Sequence, residues 1–219
     1  MKKRRISGLY AVTPETPDGD WLAVQVERAL IGGARVVQYR NKSADRDLRR
    51  RQAARLRDLC REHEAVLIIN DDVGLALEVG ADGVHLGRDD QRLVEARAAL
   101  GTGRLIGVSC YDNLALAREA QKSGADYVAF GSFFPSSVKP QAVRASLDLL
   151  REARSQLTLP IVAIGGITPD NGAALVEAGA DALAVISALF QVADTRSAAR
   201  AFARLFAPLH EPLSIDSDQ

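Results

Sequence analysis

Gln38, Arg40 and Lys42 follow directly on the apolar pair Val36-Val37, so that a hydrophobic segment runs straight into an amide and two cations. Such a group can hydrogen-bond and neutralise a polyanion, for example the phosphate of a substrate. The whole chain, however, carries 28 basic and 28 acidic side chains and has no formal net charge. A general nucleic-acid or membrane binder normally has a basic excess, so we expect neither partner and predict a local anion site.

Acidic side chains supply a second kind of chemistry, because Mg²⁺ takes oxygen ligands, often one or two carboxylates together with substrate phosphates. Asp71 and Asp90 each follow an apolar run, and we predict that they hold Mg²⁺ on a phosphorylated substrate. The remaining phosphate charge would be met by cations that follow other apolar runs, namely Arg40, Lys42 and Lys139. Helix capping is the alternative, but it would account for only one acid in Asp71-Asp72 and one in Asp89-Asp90.

A second anion site is predicted from backbone chemistry. Gly165-Gly166 follows the apolar run PIVAI, and Ile186-Ser187 ends the next apolar run. Glycine-rich turns and helix N-termini bind phosphate through backbone N–H groups, and the last two strands of a barrel commonly provide such a site. Two separate anion sites would fit two phosphorylated substrates.

Three other chemistries are weaker candidates. His85 could serve as a general acid or base, but a histidine inside an apolar run favours a packed core residue. Cys110 has no evident histidine partner, which argues against a thiol nucleophile. No lysine lies within a predicted strand, which disfavours a Schiff-base aldolase.

The elements that must position these residues are eight apolar runs that alternate with longer amphipathic segments. The runs are GLYAVT (8–13), ARVVQY (34–39), AVLIIN (65–70), DGVHLG (82–87), RLIGVS (104–109), YVAFGS (127–132), PIVAIGG (160–166) and ALAVIS (182–187). Near-continuous hydrophobicity is typical of parallel strands covered on both faces, and the amphipathic segments predict helices.

We predict a single α/β domain, a (β/α)8 TIM barrel over about residues 7–207 with a polar tail at 208–219. A doubly wound open sheet is the alternative. In such barrels the active site lies at the C-terminal strand ends, where the predicted ligands fall.

A recurring tripeptide supports this division into units. Gly-Ala-Asp occurs at 80–82, 124–126 and 179–181, each time between a predicted helix and the next strand, and Gly33-Ala34-Arg35 is a variant. The glycine suits a left-handed helix end, and the alanine leaves room for close packing. We predict that the aspartates lie in turns at the bottom of the barrel, away from the active site.

The amphipathic segments also carry boundary signals. DWLAVQVERALIGG opens with Asp20, which suits a cap, and ends in glycines. Thr168 and Pro169 suit the N-cap and first position of another helix. In LRRRQAARLRDLCREHE, leucines among arginines predict an amphipathic helix with a solvated basic face, with a basic docking surface as the alternative.

Sequence features also favour a cytoplasmic location. No apolar stretch approaches the ~20 residues that cross a bilayer, and no signal-peptide pattern follows the basic start MKKRRISGLYAVT. The two cysteines, Cys60 and Cys110, show no metal-ligand or redox spacing, which is most simply explained by reduced thiols.

Seven segments on successive predicted strands resemble the thiamine phosphate synthase family in order and spacing. They are QYRNK, NDDV, DGVHLG followed by Asp90, GVS, FGS-FFPSSVKP, PIVAIGGI and VISA. The resemblance extends from about Leu9 to Phe206 and implies a Mg²⁺-dependent transferase. Such an enzyme joins 4-amino-2-methyl-5-hydroxymethylpyrimidine diphosphate to a phosphorylated thiazole and releases thiamine phosphate and diphosphate.

The resemblance also implies roles for the residues at matching positions. The pyrimidine diphosphate would be held by Gln38, Tyr39, Arg40, Asn41, Lys42, Asn70, Ser109 and Lys139, and the Mg²⁺ by Asp71 and Asp90. The thiazole phosphate would be held by Ser136, Ser137, Val138, Gly166, Ile186 and Ser187. The catalytic residues would be Arg40, Lys42, Ser109 and Lys139.

One segment departs from the family pattern. The family usually has Pro-Thr-x-Thr-Lys after the sixth strand, whereas this chain has Pro-Ser-Ser-Val-Lys at 135–139. Val138 has the shape of threonine without its hydroxyl, so a lost hydrogen bond would weaken thiazole binding by ~0.5–1.5 kcal/mol. A 2-carboxylated thiazole is an alternative substrate. A thiazole tautomerase-like paralogue and a non-catalytic barrel that binds phosphorylated ligands are alternative functions, and self-association into a homo-oligomer is left open.

Overall fold

Eight strands close into a barrel. The structure is a computed structural model that describes residues 5–87, 93–135 and 144–206. The strands are β1 (Gly8–Val12), β2 (Ala34–Tyr39), β3 (Val66–Asn70), β4 (Gly83–Leu86), β5 (Leu105–Tyr111), β6 (Tyr127–Phe130), β7 (Ile161–Ile164) and β8 (Ala182–Val185). Neighbouring strands are parallel, and Gly8 of β1 pairs with Ala182 of β8. The predicted (β/α)8 fold is confirmed, and the open-sheet alternative is wrong because the first and last strands are bonded to each other.

Helices follow the strands around the outside of the barrel. They are α1 (Gly19–Ile31), α2 (Arg46–Glu62), α3 (Val73–Val79), α4 (Leu93–Leu100), α5 (Leu114–Lys122), α6 (Leu147–Gln156), α7 (Pro169–Glu177), α8 (Ser187–Phe190) and α9 (Thr195–Arg204). The predicted start of α7 is confirmed, with Thr168 at the N-cap and Pro169 in the first turn. The predicted cap of α1 is wrong, because Asp18 and not Asp20 accepts the first backbone N–H groups. None of the helices within the described segments is long and apolar enough to span a bilayer.

Two apolar layers result from the alternation of side chains along each strand. Val12 and Val36 belong to the cluster that fills the barrel interior, whereas Ala11 and Val37 belong to the larger cluster between strands and helices. Alternation therefore directs Gln38 to the interior. It directs the next residue, Tyr39, towards α2.

The aspartates of the Gly-Ala-Asp repeats lie at the N-terminal ends of the strands, as predicted. Their carboxylates accept backbone N–H groups from the first or second residue of the preceding strands, with Asp82 bonded to Leu67, Asp126 to Ile106 and Asp181 to Ile161. Arg97 adds an ion pair to Asp126, and Arg154 adds one to Asp181. Each carboxylate thus joins an even-numbered strand to the odd-numbered strand before it, on the face opposite the candidate site.

Candidate active site

A cavity of about 770 Å³ occupies the C-terminal end of the barrel. Sequence-predicted residues from several strands line it, namely Gln38, Arg40, Asn70, Ser109, Gly166, Ile186 and Ser187. The structure therefore brings Gln38 and Arg40 of the predicted cationic site into one space with residues of the predicted backbone site after β7 and β8. A cavity of this size fits a small-molecule ligand.

Five polar residues from different strands form a hydrogen-bonded chain across the bottom of this cavity, which we term the floor chain. Gln38 Nε2 donates to the Tyr10 hydroxyl at 2.8 Å, and the hydroxyls of Tyr10 and Tyr127 are 2.9 Å apart. His85 Nδ1 lies 3.1 Å from the Tyr127 hydroxyl, and His85 Nε2 lies 2.8 Å from Ser109 Oγ.

His85 is buried, as predicted for a packed residue, but its ring also lines the cavity. Tyr10, Tyr127 and this role of His85 were missed, because their signal in sequence is that of ordinary core residues.

Arg40 lies at the rim of the cavity, where the end of β2 is fixed to the end of β1. Its backbone N–H donates to Thr13 Oγ1 at 2.9 Å, and its Nη1 lies 2.8 Å from Glu15 Oε1. The Glu15 side chain is 45% exposed, so this ion pair is partly hydrated and contributes little to stability. An anionic ligand could therefore replace Glu15 as the partner of Arg40 at small cost.

A second cavity of about 450 Å³ lies beside the first, and Asn70 lines both. It is also lined by the predicted residues Asn41, Lys42 and Asp71, and by Arg49, Asp72, Val73 and Gly74. Asp71 has a left-handed backbone with φ of 64°, and its N–H donates to the carbonyl of His85 at 2.9 Å. Its carboxylate accepts from the Asn70 amide and lies 4.0 Å from Lys42 Nζ. Left-handed backbone at a non-glycine residue is costly and is concentrated at functional sites.

The two adjacent acids at the end of β3 have different roles. Asp72 is the N-cap of α3, since its carboxylate accepts from Leu75 N–H at 2.8 Å, and it also pairs with Arg49 at 3.1 Å. Capping thus accounts for one acid of the pair, as expected, and Asp71 is the acid whose position capping does not explain. The position of Arg49 in this cavity was not predicted, because the arginine-rich segment predicted a solvated helix face, with a basic docking surface as the alternative.

Tyr39 and Asn41 are both predicted to contact substrate, but neither lines the main cavity. The Tyr39 ring is buried between β2 and α2, where its hydroxyl donates to Gln52 Oε1 at 2.8 Å, and burial raises its pKa to about 12. The Tyr39 side chain lines neither cavity, because strand alternation turns it towards α2, and its contact with substrate stays a prediction. Asn41 donates to the same Gln52 oxygen and faces only the second cavity.

The glycines after β7 lie under the segment that follows β6. Gly166 has φ of 62°, and a Cβ atom there would lie 2.3 Å from the carbonyl oxygen of Pro135. Phe134 N–H also donates to the carbonyl of Gly165 at 3.0 Å. The double glycine is therefore required by backbone packing, and the same close packing brings the β6 segment to the edge of the cavity.

Gly166→Ala is expected to destabilise the fold. The left-handed backbone alone costs about 1–2 kcal/mol for a residue with a Cβ atom, and overlap with Pro135 adds to it. Gly80→Ala is a matched control, since Gly80 has φ of 69° and nothing within 4 Å of the added atom. Urea unfolding should show a larger loss for Gly166→Ala. Equal losses would contradict the packing argument.

Several predicted residues lie outside the described ranges, namely Asp90, Ser136, Ser137, Val138 and Lys139. Cys110 is described and is buried, and burial raises the pKa of its thiol to about 12. A thiol with that pKa is protonated at neutral pH, in agreement with the expectation that Cys110 is not a nucleophile.

Comparison with known proteins connects this geometry to a family. The thiamine monophosphate synthase family profile matches residues 9–189. The thiamine-phosphate synthase of Thiobacillus denitrificans is 56% identical over 200 residues, which is 91% of this chain and 95% of that protein. The thiamine-phosphate synthase of Methylobacillus flagellatus is 56% identical over 201 residues, 92% of this chain and 96% of that protein.

Among solved structures, a thiamine phosphate pyrophosphorylase from Pyrococcus furiosus has a TM-score of 0.81 and 36% identity, covering 90% of this chain and 94% of that one. The sequence resemblance is thereby confirmed at the level of family and fold. The chain belongs to the thiamine-phosphate synthase family and is a transferase of thiamine biosynthesis.

Proposed function

We propose that this chain joins 4-amino-2-methyl-5-hydroxymethylpyrimidine diphosphate to a phosphorylated methyl-hydroxyethyl-thiazole, giving thiamine phosphate and diphosphate. The observation that carries the proposal is that residues of both predicted anion sites line one cavity. Polar residues of β2, β3 and β5 line one side, and the turns after β7 and β8 line the other. Two phosphorylated substrates held in this way would meet within a single space.

The proposed chemistry is a displacement in which the exocyclic C–O bond of the pyrimidine breaks and the thiazole nitrogen forms the new C–N bond. The electron-rich aminopyrimidine can stabilise positive charge at the methylene carbon, so the C–O bond would break well before the new bond forms. The departing diphosphate keeps the bonding electron pair. No protein nucleophile or general base is needed for this displacement.

The protein would contribute mainly electrostatic stabilisation and orientation. Arg40 at the rim of the main cavity and Lys42 in the second cavity would meet the charge that develops on the leaving diphosphate. Ser109 would donate to a phosphate oxygen, and Lys139, outside the described ranges, would add a further cation. The walls of the barrel would hold the thiazole in line with the breaking bond.

Mg²⁺ is proposed as the cofactor, and the chemistry of the described residues fits it. Asp71 supplies a carboxylate in a cavity that also contains Lys42 and Arg49, which would meet the remaining phosphate charges. Asp90 is the second proposed ligand. Residues 5–87, 93–135 and 144–206 contain no cluster of three or more His, Cys, Asp or Glu side chains suited to a metal. A site completed by substrate oxygens needs no such cluster. When bound, Mg²⁺ would neutralise part of the diphosphate charge.

Arg49→Ala is expected to weaken binding of the pyrimidine diphosphate by about tenfold to a hundredfold, because a charge-assisted hydrogen bond contributes about 1.5–3 kcal/mol. Arg49 lines the second cavity, and its Nε atom is buried without a hydrogen-bond partner. Arg50→Ala is the control, since the neighbouring Arg50 side chain is half exposed and lies near Glu78. Calorimetric titration with inorganic diphosphate and Mg²⁺ measures the effect. Equal affinities of the two variants would remove Arg49 from the site.

The proposed function is tested by mixing the purified protein with both substrates and Mg²⁺ and following thiamine phosphate through its fluorescent oxidation product. Mg²⁺-dependent product formation supports the proposal. Binding of either substrate without product would favour the non-catalytic barrel. Isomerisation of the carboxylated thiazole without coupling would favour a tautomerase. Repeating the assay with the 2-carboxylated thiazole, and with Val138→Thr, identifies the preferred second substrate.

A further inference from the structure

The floor chain contains four hydrogen-bonded contacts, and each contact holds one proton. The amide of Gln38 supplies the proton of the first contact, since its Nε2 donates to Tyr10. With Tyr10 accepting from Gln38, its own proton is available for the contact with Tyr127, and the Tyr127 proton is then available for the contact with His85 Nδ1. The contact with Ser109 is left to a proton on His85 Nε2. In this sequence the proton of the Ser109 hydroxyl is not used within the chain.

Burial of the two tyrosines supports this count, because their hydroxyls have little access to water. Tyr10 and Tyr127 are at most 1% exposed, and burial raises the pKa of both hydroxyls well above the usual value. Both phenols therefore keep their protons and act as donor and acceptor at once. Gly107 of β5 makes room for the Tyr127 ring, since a Cβ atom there would lie 1.9 Å from Tyr127 Cζ.

We propose that the floor chain has a single proton direction, from Gln38 to Ser109, and that Tyr10, Tyr127 and His85 are positioning residues which make Ser109 a hydrogen-bond donor to the diphosphate. The identity of the ligand rests on the proposed function, whereas the direction of the protons does not. In the opposite direction, Ser109 would give its proton to His85 and would present only lone pairs to an anionic oxygen. The chain would then repel the ligand that it should hold.

The tautomer of His85 reports the direction in the protein without any substrate. The chain contains 3 histidines, and variants of His63 and His210 to glutamine assign the remaining imidazole. Nitrogen-15 NMR at about pH 8, where an ordinary histidine is neutral, distinguishes protonated from unprotonated ring nitrogens. A proton on Nε2 with unprotonated Nδ1 is expected. A proton on Nδ1, alone or together with one on Nε2, would overturn the proposal.

Coupling along the floor chain is tested with hydroxyl deletions. Tyr127→Phe removes the donor to His85 Nδ1 and should change the nitrogen-15 chemical shift of Nδ1. Tyr10 does not contact His85, but Tyr10→Phe breaks the floor chain one contact earlier. It should change the chemical shift of His85 Nδ1 by a smaller amount. Tyr39→Phe is the matched control for the NMR measurement, since that buried hydroxyl bonds to Gln52 outside the barrel wall. No shift with Tyr10→Phe, or an equal shift with Tyr39→Phe, would refute the coupling.

The positioning role also has a kinetic consequence, which can be measured once the joining of the pyrimidine to the thiazole is established. Tyr127→Phe should lower kcat/KM for the pyrimidine diphosphate by about three- to tenfold, the range expected for one ordinary hydrogen bond. KM for the thiazole phosphate should stay unchanged. Unchanged kcat/KM for the pyrimidine diphosphate would show that Ser109 orientation does not depend on the floor chain. Because the NMR result needs no turnover, its failure is distinguishable from failure of the proposed function.

Discussion

Arg40→Ala should lower kcat by about 10²-fold or more, the scale of losing one preorganised donor to a developing charge. Arg40 is the cation that lines the main cavity at the end of β2, and its position is fixed by Thr13 and Glu15. Single-turnover measurement of thiamine phosphate formation separates this loss from any change in product release. Because the ion pair to Glu15 is partly hydrated, the variant should fold with nearly unchanged stability.

The control for this prediction is Arg46→Ala. Arg46 lies in the first turn of α2, is 79% exposed and pairs with Glu78, outside both cavities. Its removal should leave kcat unchanged. Near-normal turnover of Arg40→Ala would mean that Arg40 does not contact the leaving diphosphate, and the charge would then have to be met by Lys42 and Lys139.

Asp71→Asn should raise the Mg²⁺ concentration required for half-maximal activity at least tenfold, on the order of 1.4 kcal/mol of lost metal affinity. Asparagine tolerates the left-handed backbone of this position, so the effect should arise from the lost charge and not from misfolding. Calorimetric titration of Mg²⁺ into a mixture of protein and inorganic diphosphate gives a readout that is independent of turnover.

Asp72→Asn distinguishes a metal ligand from a helix cap at adjacent positions. Asparagine is as good an N-cap as aspartate, so α3 should keep its start, and the Mg²⁺ titration should change little. If Asp71→Asn titrates like the wild-type protein, Asp71 has only a conformational role at the end of β3.

The sequence was sufficient for the fold because the eight strands are nearly continuous apolar runs and the Gly-Ala-Asp turns recur between them. It was sufficient for much of the site because the C-terminal strand ends of a barrel converge, which places Gln38, Arg40 and Ser109 together without knowledge of any distance. These predictions rest on topology alone.

Other parts of the site depend on side-chain direction, which a list of residues at a strand end does not contain. Gln38 and Tyr39 are adjacent in sequence, yet one faces the cavity and the other faces α2. His85 and Tyr127 look like core residues in sequence and become polar neighbours only when β4 and β6 approach across the barrel. Arg49 is one of many arginines in α2, and only its position against Asp72 singles it out.

The carboxylates at the bottom of the barrel have a consequence for how the molecule can be divided. Asp82, Asp126 and Asp181 each tie the start of an odd-numbered strand to the turn before the next even-numbered one. The pairs β3–β4, β5–β6 and β7–β8 are therefore the natural modules for recombination, and a break after an even-numbered strand severs none of these ties. Because all three ties lie on the face away from the cavity, loops at the opposite face can be exchanged between relatives without disturbing the joints that hold the modules together.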